Sequence, residues 1–136
     1  MRHVSAVLLA LCVSASATIA LTAQNPGGSP EGKKLKNPVA ATPASITAGQ
    51  QTFQKMCAFC HGKDASGKGS MAPKTMTPPS NLTDGTWDRG ASDGEIFLVM
   101  QHGAGPKFEM KGLKGKVPDP DLWNVVNYLR SLNTTK

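Results

Sequence analysis

The chain has 136 residues, of which 39% are hydrophobic and only 5% aromatic. This length accommodates one ordinary domain and excludes a large multidomain enzyme. Fifteen lysines and arginines against nine aspartates and glutamates give a net charge of +6, which favours acidic partners. Two tryptophans, one tyrosine and four phenylalanines make a thin apolar core, so we expect a bulky ligand to fill part of it.

The N-terminal segment has the three-part composition of a secretory signal peptide. A basic start precedes an apolar run from Val4 to Val13, and small residues follow up to Ala23. An apolar run of about ten residues is too short for a bilayer, which takes roughly 20. We therefore expect this segment, residues 1–23, to act as a signal peptide that is removed on export to the periplasm, with Cys12, leaving no stable membrane span. The candidate cleavage points follow Ala17, Ala20 and Ala23.

The next segment, residues 24–42, is rich in proline, glycine and lysine and has no helical or strand period. This composition predicts a flexible leader. The folded domain is then expected to cover residues 43–136, with no internal repeat.

Three segments show the apolar spacing of a helix face. The second has the sharpest boundaries, because Ser92 and Glu95 form a capping box at its start and Gly103 follows its end. The third has Asp119 as the predicted N-cap and Pro120 in the first turn. The predicted helices run over about 45–56, 92–103 and 119–132.

Two long stretches between these helices, 62–90 and 103–118, are rich in glycine, proline, lysine and serine and show no strand alternation. Loops of this length are uncommon in a compact domain unless they have a function or wrap a ligand. The sequence thus predicts an all-α fold of at least three helices, with long loops around a bound group.

Cys57, Cys60 and His61 form the C-x-x-C-H arrangement of covalent haem attachment. Two thiols at this spacing can each form a thioether with one haem vinyl group, and the adjacent imidazole can ligate the iron. A thioredoxin-like redox pair would need a βαβ setting, which the pattern lacks. A zinc site would need a second ligand pair, and adding His102 still leaves it incomplete.

The chain from about residue 43 to 132 resembles the class I cytochrome c family, particularly its small bacterial single-haem members. The resemblance implies the cytochrome c fold around one covalently bound haem c. It also implies that the first and last helices cross at Gly49, with Phe53 and Tyr128 packed nearby. The residues that carry it are Gly49, Phe53, the Cys57–His61 motif, Gly67-Lys68-Gly69 with Pro73, and residues 122–130.

The resemblance makes Met110 the expected second iron ligand, since it stands in a loop ahead of the terminal helix. A thioether ligand favours reduced iron. Four alternatives remain open: Met71, Met76, Met100 and His102.

Two further contacts are expected around the haem. By resemblance, the backbone carbonyl of Pro73 accepts a hydrogen bond from the His61 ring, with Pro78 and Pro79 as alternatives. The indole N–H of Trp87 is a candidate donor to a haem propionate, although simple packing would also explain this residue.

The function that follows is one-electron transfer by a soluble periplasmic cytochrome, either as a monomer or as a haem subunit that relays electrons within a larger oxidoreductase. A peroxidase-like or gas-binding protein would need an open sixth position, and the sequence has no evident distal acid–base pair. Nucleic acid is not an expected partner. Loop lysines predict docking of an acidic redox partner, or alternatively a solvated basic surface. These are Lys63, Lys68, Lys74, Lys107, Lys111, Lys114 and Lys116.

Overall fold

A computed structural model describes residues 28–75, 77–105 and 110–133. This part of the chain is mostly helical, as predicted, with a two-stranded antiparallel hairpin between the last two helices. The elements are α1 (Pro30–Lys34), α2 (Pro43–Met56), α3 (Ala58–His61), a 3-10 turn (Ala72–Lys74), α4 (Asp93–His102), β1 (Gly103–Ala104), β2 (Met110–Lys111) and α5 (Asp119–Leu132). The predicted signal peptide lies outside the described residues.

Helices α2 and α5 cross at Gly49, as the resemblance implied. A Cβ atom at this buried position would collide with the backbone carbonyl of Asn124, so glycine is required for the approach. One turn further on, the rings of Phe53 and Tyr128 lie 5.4 Å apart, centroid to centroid, at an angle of 56°. The crossing fixes α2, and with it the start of the cysteine motif, against the last helix.

Helix α4 packs on α5 through an aromatic stack. The rings of Phe97 and Trp123 are parallel and 4.0 Å apart, and both side chains are buried. Ile96 and Met100 on α4 join the same core as Leu122 on α5. Three helices thus enclose one apolar core, which continues toward the cysteine motif.

The predicted capping box of α4 is confirmed. The Ser92 hydroxyl accepts a hydrogen bond from the Glu95 N–H, and the Glu95 carboxylate accepts one from the Ser92 N–H at 2.9 Å. The helix ends before Gly103, whose φ of 84° lies in the left-handed region that glycine adopts freely.

Two predicted helix starts are displaced. Helix α2 begins two residues before the predicted Ser45, because the Thr42 hydroxyl caps it by accepting from the Ser45 N–H at 3.2 Å. At α5 the predicted N-cap is wrong by one residue, since Pro118 occupies that position and Asp119 is already helical. The Asp119 carboxylate instead accepts a hydrogen bond from Gln101 at 2.7 Å.

The segment predicted to be a flexible leader is held against the domain from residue 28 onward. Ser29 caps α1 and donates its N–H to the Glu95 carboxylate at 3.1 Å. Gly32 is buried against Glu95, where a Cβ would come within 2.8 Å of the Glu95 Cα. The glycines and prolines therefore serve close packing and helix initiation here, rather than flexibility.

The same segment is also tied to α5. Asn127, only 5% exposed, accepts a hydrogen bond from the Asn37 amide at 2.8 Å and donates to the Ser45 hydroxyl at 2.7 Å. Its amide also approaches the carbonyl oxygens of Val39 and Ala40. One buried side chain thus joins α2, α5 and the N-terminal segment.

Within the described residues, no helix combines the length and apolar character needed to cross a membrane.

Candidate functional site

A cavity of about 570 Å³ lies next to the core, between the cysteine motif and the hairpin. Its volume falls in the range of about 300 to 1,000 Å³ that is usual for small-molecule and cofactor sites. The predicted attachment residues Cys57, Cys60 and His61 line it, as do Trp87 and Met110. The fold therefore brings five of the six predicted site residues to one space.

The two cysteines approach the cavity from the junction of α2 and α3. Cys57 ends α2 and begins α3, and its carbonyl accepts the N–H groups of Cys60 at 3.1 Å and His61 at 2.9 Å. Both sulfurs are half-buried, and no disulfide joins them. Burial, and to a lesser extent the neighbouring Cys60, raise the pKa of the Cys57 thiol to about 12, so this thiol is uncharged.

The His61 ring is oriented by a backbone carbonyl. Its Nδ1 lies 3.0 Å from the Ser80 oxygen, and because a carbonyl can only accept, Nδ1 carries the proton and donates it. Burial lowers the pKa of the ring, although the hydrogen bond to Ser80 opposes this shift. The imidazole is thus neutral with Nε2 unprotonated, which is the form that ligates a metal.

The predicted acceptor, Pro73, is wrong. Pro73 lies in the exposed 3-10 turn, whereas the acceptor is Ser80, which directly follows the alternatives Pro78 and Pro79. Gly67 sets this path, because its φ of 81° and missing Cβ let the Pro79–Ser80 peptide lie against it. A backbone carbonyl leaves no sign in a sequence, so Ser80 could not have been found from its residue type.

The candidates for the second iron ligand differ in their burial and in whether they line the cavity. Met110 is half-buried and lines the cavity, and Met100 also lines it but is 3% exposed within the core. Met71 is 37% exposed and His102 is exposed, and neither is among the lining residues. Met76 lies outside the described residues.

The hairpin places Met110 at the cavity. Met110 pairs with Ala104, and Gly103 pairs with Lys111. A Cβ at Gly103 would collide with the Met110 carbonyl, so this glycine permits the strand pairing. Just beyond, the N–H of Leu113 donates to the Met100 carbonyl at 2.9 Å, which holds the hairpin on the end of α4.

Trp87 forms part of the cavity wall under a cation–π contact. The Arg130 guanidinium lies 5.5 Å from the indole ring centre. Arg130 is in turn held by the Asp93 carboxylate at 2.7 Å and by the Ala91 carbonyl. Nearby Arg89 also lines the cavity and is half-buried, and sequence reasoning missed it.

A second, shallower cavity of about 320 Å³ lies on the far side of α3. Phe59, between the two cysteines, lines it with 66% of its surface exposed, and Lys63 and Lys68 flank it. Asp64 stands nearby with the opposite charge, and hydrogen bonds from Ser66 hold the pKa of this carboxyl below its usual value. The groove has an apolar centre with a basic edge.

The predicted loop lysines are exposed wherever the structure describes them, and Lys107 lies outside the described residues. Of the six that are described, only Lys111 lines the larger cavity.

A helical fold that presents a C-x-x-C-H motif to an apolar cavity of cofactor size defines a c-type cytochrome domain. The family described as "Cytochrome C oxidase, cbb3-type, subunit III" matches residues 44–129, and the chain belongs to this family. The cofactor is one haem c, covalently attached through Cys57 and Cys60.

Two relatives with curated names are both called "Cbb3-type cytochrome c oxidase subunit CcoP" and come from Rhodobacter capsulatus. They are 33% and 34% identical to this chain over 97 residues, which is 68% of the chain. The chain spans only 31% of the length of these relatives.

Solved structures share the fold at low identity. A chain of the Kuenenia stuttgartiensis reducing HAO-like protein complex has a TM-score of 0.65 and 23% identity, over 74% of this chain and 50% of that one. Cytochrome CL from Methylophaga aminisulfidivorans has a TM-score of 0.56 and 24% identity, over 73% of this chain and 58% of that one. Both support the cytochrome c fold that the sequence predicted.

Proposed function

We propose that this domain carries single electrons on a haem c held between His61 and Met110. The observation that supports the ligand pair most directly is that a neutral, oriented imidazole and a thioether line the same cavity. When bound, the haem supplies a one-electron couple between ferrous and ferric iron.

The chain's residues have distinct parts in holding the group. Cys57 and Cys60 fix it covalently, and His61 would offer Nε2 to the iron because Nδ1 keeps its proton in a hydrogen bond to the Ser80 carbonyl. Apolar side chains of the core, such as Val125 and Leu129, exclude water from the cavity. A low-dielectric surrounding disfavours the extra charge of ferric iron and so favours reduction.

Trp87 and Arg89 are the proposed donors to the haem propionates. In the described part of the chain, neither the Trp87 indole N–H nor the Arg89 guanidinium has a hydrogen-bond partner, and both residues line the cavity. Both residues are half-buried, so these donors are partly withdrawn from solvent and gain from acceptors at the cavity. Two carboxylates entering with the cofactor would supply the missing acceptors.

Optical spectra of the oxidised and reduced protein, with and without carbon monoxide, test the ligand set. We expect a c-type spectrum, a weak sulfur-to-iron charge-transfer band in the oxidised form, and no reaction with carbon monoxide. Met110→Ala should keep the haem attached but abolish the sulfur band and open the iron to carbon monoxide.

Met100→Leu is the matched control, because it removes the other thioether of the cavity at nearly constant volume. The sulfur band should survive in this variant. A sulfur band that survives in Met110→Ala and disappears in Met100→Leu would identify Met100, and not Met110, as the iron ligand. Rapid carbon monoxide binding by the unaltered protein would favour the gas-binding or peroxidase-like function.

The domain's place in a larger assembly is a second proposal. The names of the two Rhodobacter capsulatus relatives describe an oxidase subunit, and this chain matches about a third of each. We infer that the domain relays electrons within an oxidase or another oxidoreductase complex at the periplasmic side of the membrane. Cell fractionation, N-terminal sequencing of the haem-stained protein and copurification with an enzyme activity would test export and assembly together.

We propose that an acidic redox partner docks in the groove beside Phe59. An exposed aromatic ring flanked by Lys63 and Lys68 offers apolar contact and charge complementarity. Phe59 directly precedes Cys60, so a partner seated there contacts the residue next to a haem-attachment cysteine.

A further inference from the structure

A hydrogen-bonded pair behind the histidine carries an inference about how the iron ligand is held. The Ser80 carbonyl accepts a hydrogen bond from His61 Nδ1 at 3.0 Å, and the Ser80 hydroxyl donates to the Asp88 carboxylate at 3.0 Å. The residue that orients the imidazole is therefore itself attached, through its side chain, to a second loop.

The Ser80 peptide lies outside any helix or strand, so these local contacts determine its position. On one side it lies against Gly67, where a Cβ would come within 3.2 Å of the Ser80 carbonyl group. Two residues later, the N–H of Leu82 donates to the Ala65 carbonyl at 2.8 Å. The hydrogen bond from the Ser80 hydroxyl to the Asp88 carboxylate adds a third contact that holds Ser80 in place.

Asp88 is a firm attachment point because its loop is anchored to α5. The preceding residue, Trp87, lies under the Arg130 guanidinium. Arg130 also binds the Ala91 carbonyl and the Asp93 carboxylate, three and five positions beyond Asp88. The loop is thus fixed on both sides of Asp88 by a single residue of the terminal helix.

We propose that Ser80 and Asp88 act together as positioning residues that hold the His61 imidazole and set how strongly it donates from Nδ1. Stronger donation from Nδ1 makes the imidazole a more basic ligand, which stabilises ferric iron and lowers the reduction potential. Breaking the pair weakens this donation and raises the potential. This proposal rests on His61 being the iron ligand, as proposed above.

The test uses the full-length holoprotein and four variants with two readouts. Ser80→Ala keeps the backbone carbonyl and the Asp88 charge but removes the hydroxyl. Ser80→Thr retains a hydroxyl and should behave like the unaltered protein. Asp88→Asn keeps an acceptor oxygen while removing the charge, and Asp88→Ala removes both from an exposed position.

The first readout is the rate at which the His61 Nδ1 proton exchanges with deuterium, followed by its hyperfine-shifted NMR signal in the oxidised protein. In Ser80→Ala and Asp88→Ala the exchange should accelerate by between about twofold and tenfold, the range expected for loss of one hydrogen bond. In Ser80→Thr and Asp88→Asn it should be unchanged.

The second readout is the reduction potential, which should rise in Ser80→Ala although no charge has been altered. Asp88→Asn separates the electrostatic contribution, because it changes the potential without changing the exchange rate. A potential that responds only to removal of the Asp88 charge, with exchange unchanged in Ser80→Ala, would overturn the proposal.

Ser66→Ala is the matched control. The Ser66 hydroxyl donates to the Asp64 carboxylate at 2.8 Å, so the variant removes the same kind of bond at the other end of this loop. If Ser66→Ala and Ser80→Ala accelerate exchange equally, the effect is general loosening and the pair has no special role. If the unaltered protein shows no hyperfine-shifted Nδ1 proton from His61, the ligand assignment itself fails, which is a separate outcome.

Discussion

Asn127 is a polar side chain with 5% exposure whose amide is satisfied on both sides. Its oxygen accepts from Asn37, and its nitrogen donates to Ser45 and approaches the Val39 carbonyl at 3.1 Å. Leaving such partners unsatisfied within a packed interior costs more than each bond contributes when intact. The residue therefore matters for stability without touching the haem cavity.

We expect Asn127→Leu to lower the free energy of unfolding by about 2 to 3 kcal/mol, because several hydrogen bonds are lost and their partners stay buried. Denaturant titration of the holoprotein measures the loss, and the haem spectrum should not change. Asn124→Leu on the same helix is the control, since its side chain makes no hydrogen bond within the described residues. Equal losses in the two variants would contradict the role given to the Asn127 network.

Glu95 links two elements, the N-terminal segment and α4, through one buried carboxylate. Burial opposes its ionisation, but hydrogen bonds from Ser92, the Lys33 charge and the Ser29 N–H outweigh this and hold the pKa of Glu95 below its ordinary value of 4.5. A carboxyl with a lowered pKa in the folded state stabilises that state above its unfolded pKa. This contribution is lost as the pH falls through the folded value.

Glu95→Gln should therefore destabilise the holoprotein by about 1 to 3 kcal/mol at neutral pH. The difference between the variant and the unaltered protein should shrink as the pH is lowered below 4.5. Denaturant titrations across this range measure it, with the exposed Glu31→Gln on α1 as the control. A difference that stays constant down to acidic pH would show that ionisation of Glu95 does not contribute to stability, and would contradict this role of the carboxylate.

The elements that the sequence predicted well are those with a local chemical signal. The capping box of Ser92 and Glu95 determined the start of α4, and the α2–α5 crossing, which the family resemblance implied, depends on the missing Cβ of Gly49. The haem attachment site was predicted from three residues of one short motif, Cys57, Cys60 and His61. In each case the deciding interaction lies within a few positions or belongs to one residue type.

The wrong predictions concern segments whose structure depends on distant contacts. Residues 29–42 resemble a linker in composition, but Glu95 and Asn127 hold them from far along the chain. Likewise, the acceptor for His61 depends on how the loop folds around Gly67, so Ser80 could not be told from Pro73 in advance. Glycine and proline content does not distinguish a flexible segment from a tightly packed one.

The whole domain is built around its cofactor cavity. The cavity of about 570 Å³ is lined mainly by apolar side chains, and without the cofactor these side chains would lose packing contacts and face water. Domain stabilities are only about 5 to 15 kcal/mol, so this loss weighs strongly against folding of the apoprotein. The bound group thus completes the thin apolar core inferred from composition.

The double variant Cys57→Ala, Cys60→Ala should consequently accumulate as a largely unfolded chain. Circular dichroism and proteolysis of the purified apoprotein would measure this, compared with the unaltered holoprotein. Adding free haem should restore part of the helical signal, since His61 and the apolar walls remain. An apoprotein as helical and protease-resistant as the holoprotein would contradict the dependence on the cofactor.

The excess of lysine and arginine over aspartate and glutamate should affect the rate of electron exchange with charged reagents. We expect oxidation of the reduced protein by hexacyanoferrate(III), an anion, to slow by about tenfold from low to high salt. Lys63→Glu and Lys68→Glu should lower the rate at low salt and flatten its salt dependence, whereas Lys36→Glu on the N-terminal segment should change it less. Equal effects at all three positions would assign the attraction to net charge rather than to the groove beside Phe59.

The α2–α5 crossing joins parts of the chain that are made at different times. The hydrogen bond between Asn127 and Ser45 spans 82 positions, and α5 supplies Val125 and Leu129 to the cavity wall. During synthesis, which runs from the N-terminus, the cysteine motif emerges well before the helix that completes this wall. Because the chain is expected to stay largely unfolded until the haem is bound, α5 can complete the wall only after attachment, and until then both thiols stay accessible to haem attachment and to oxidation.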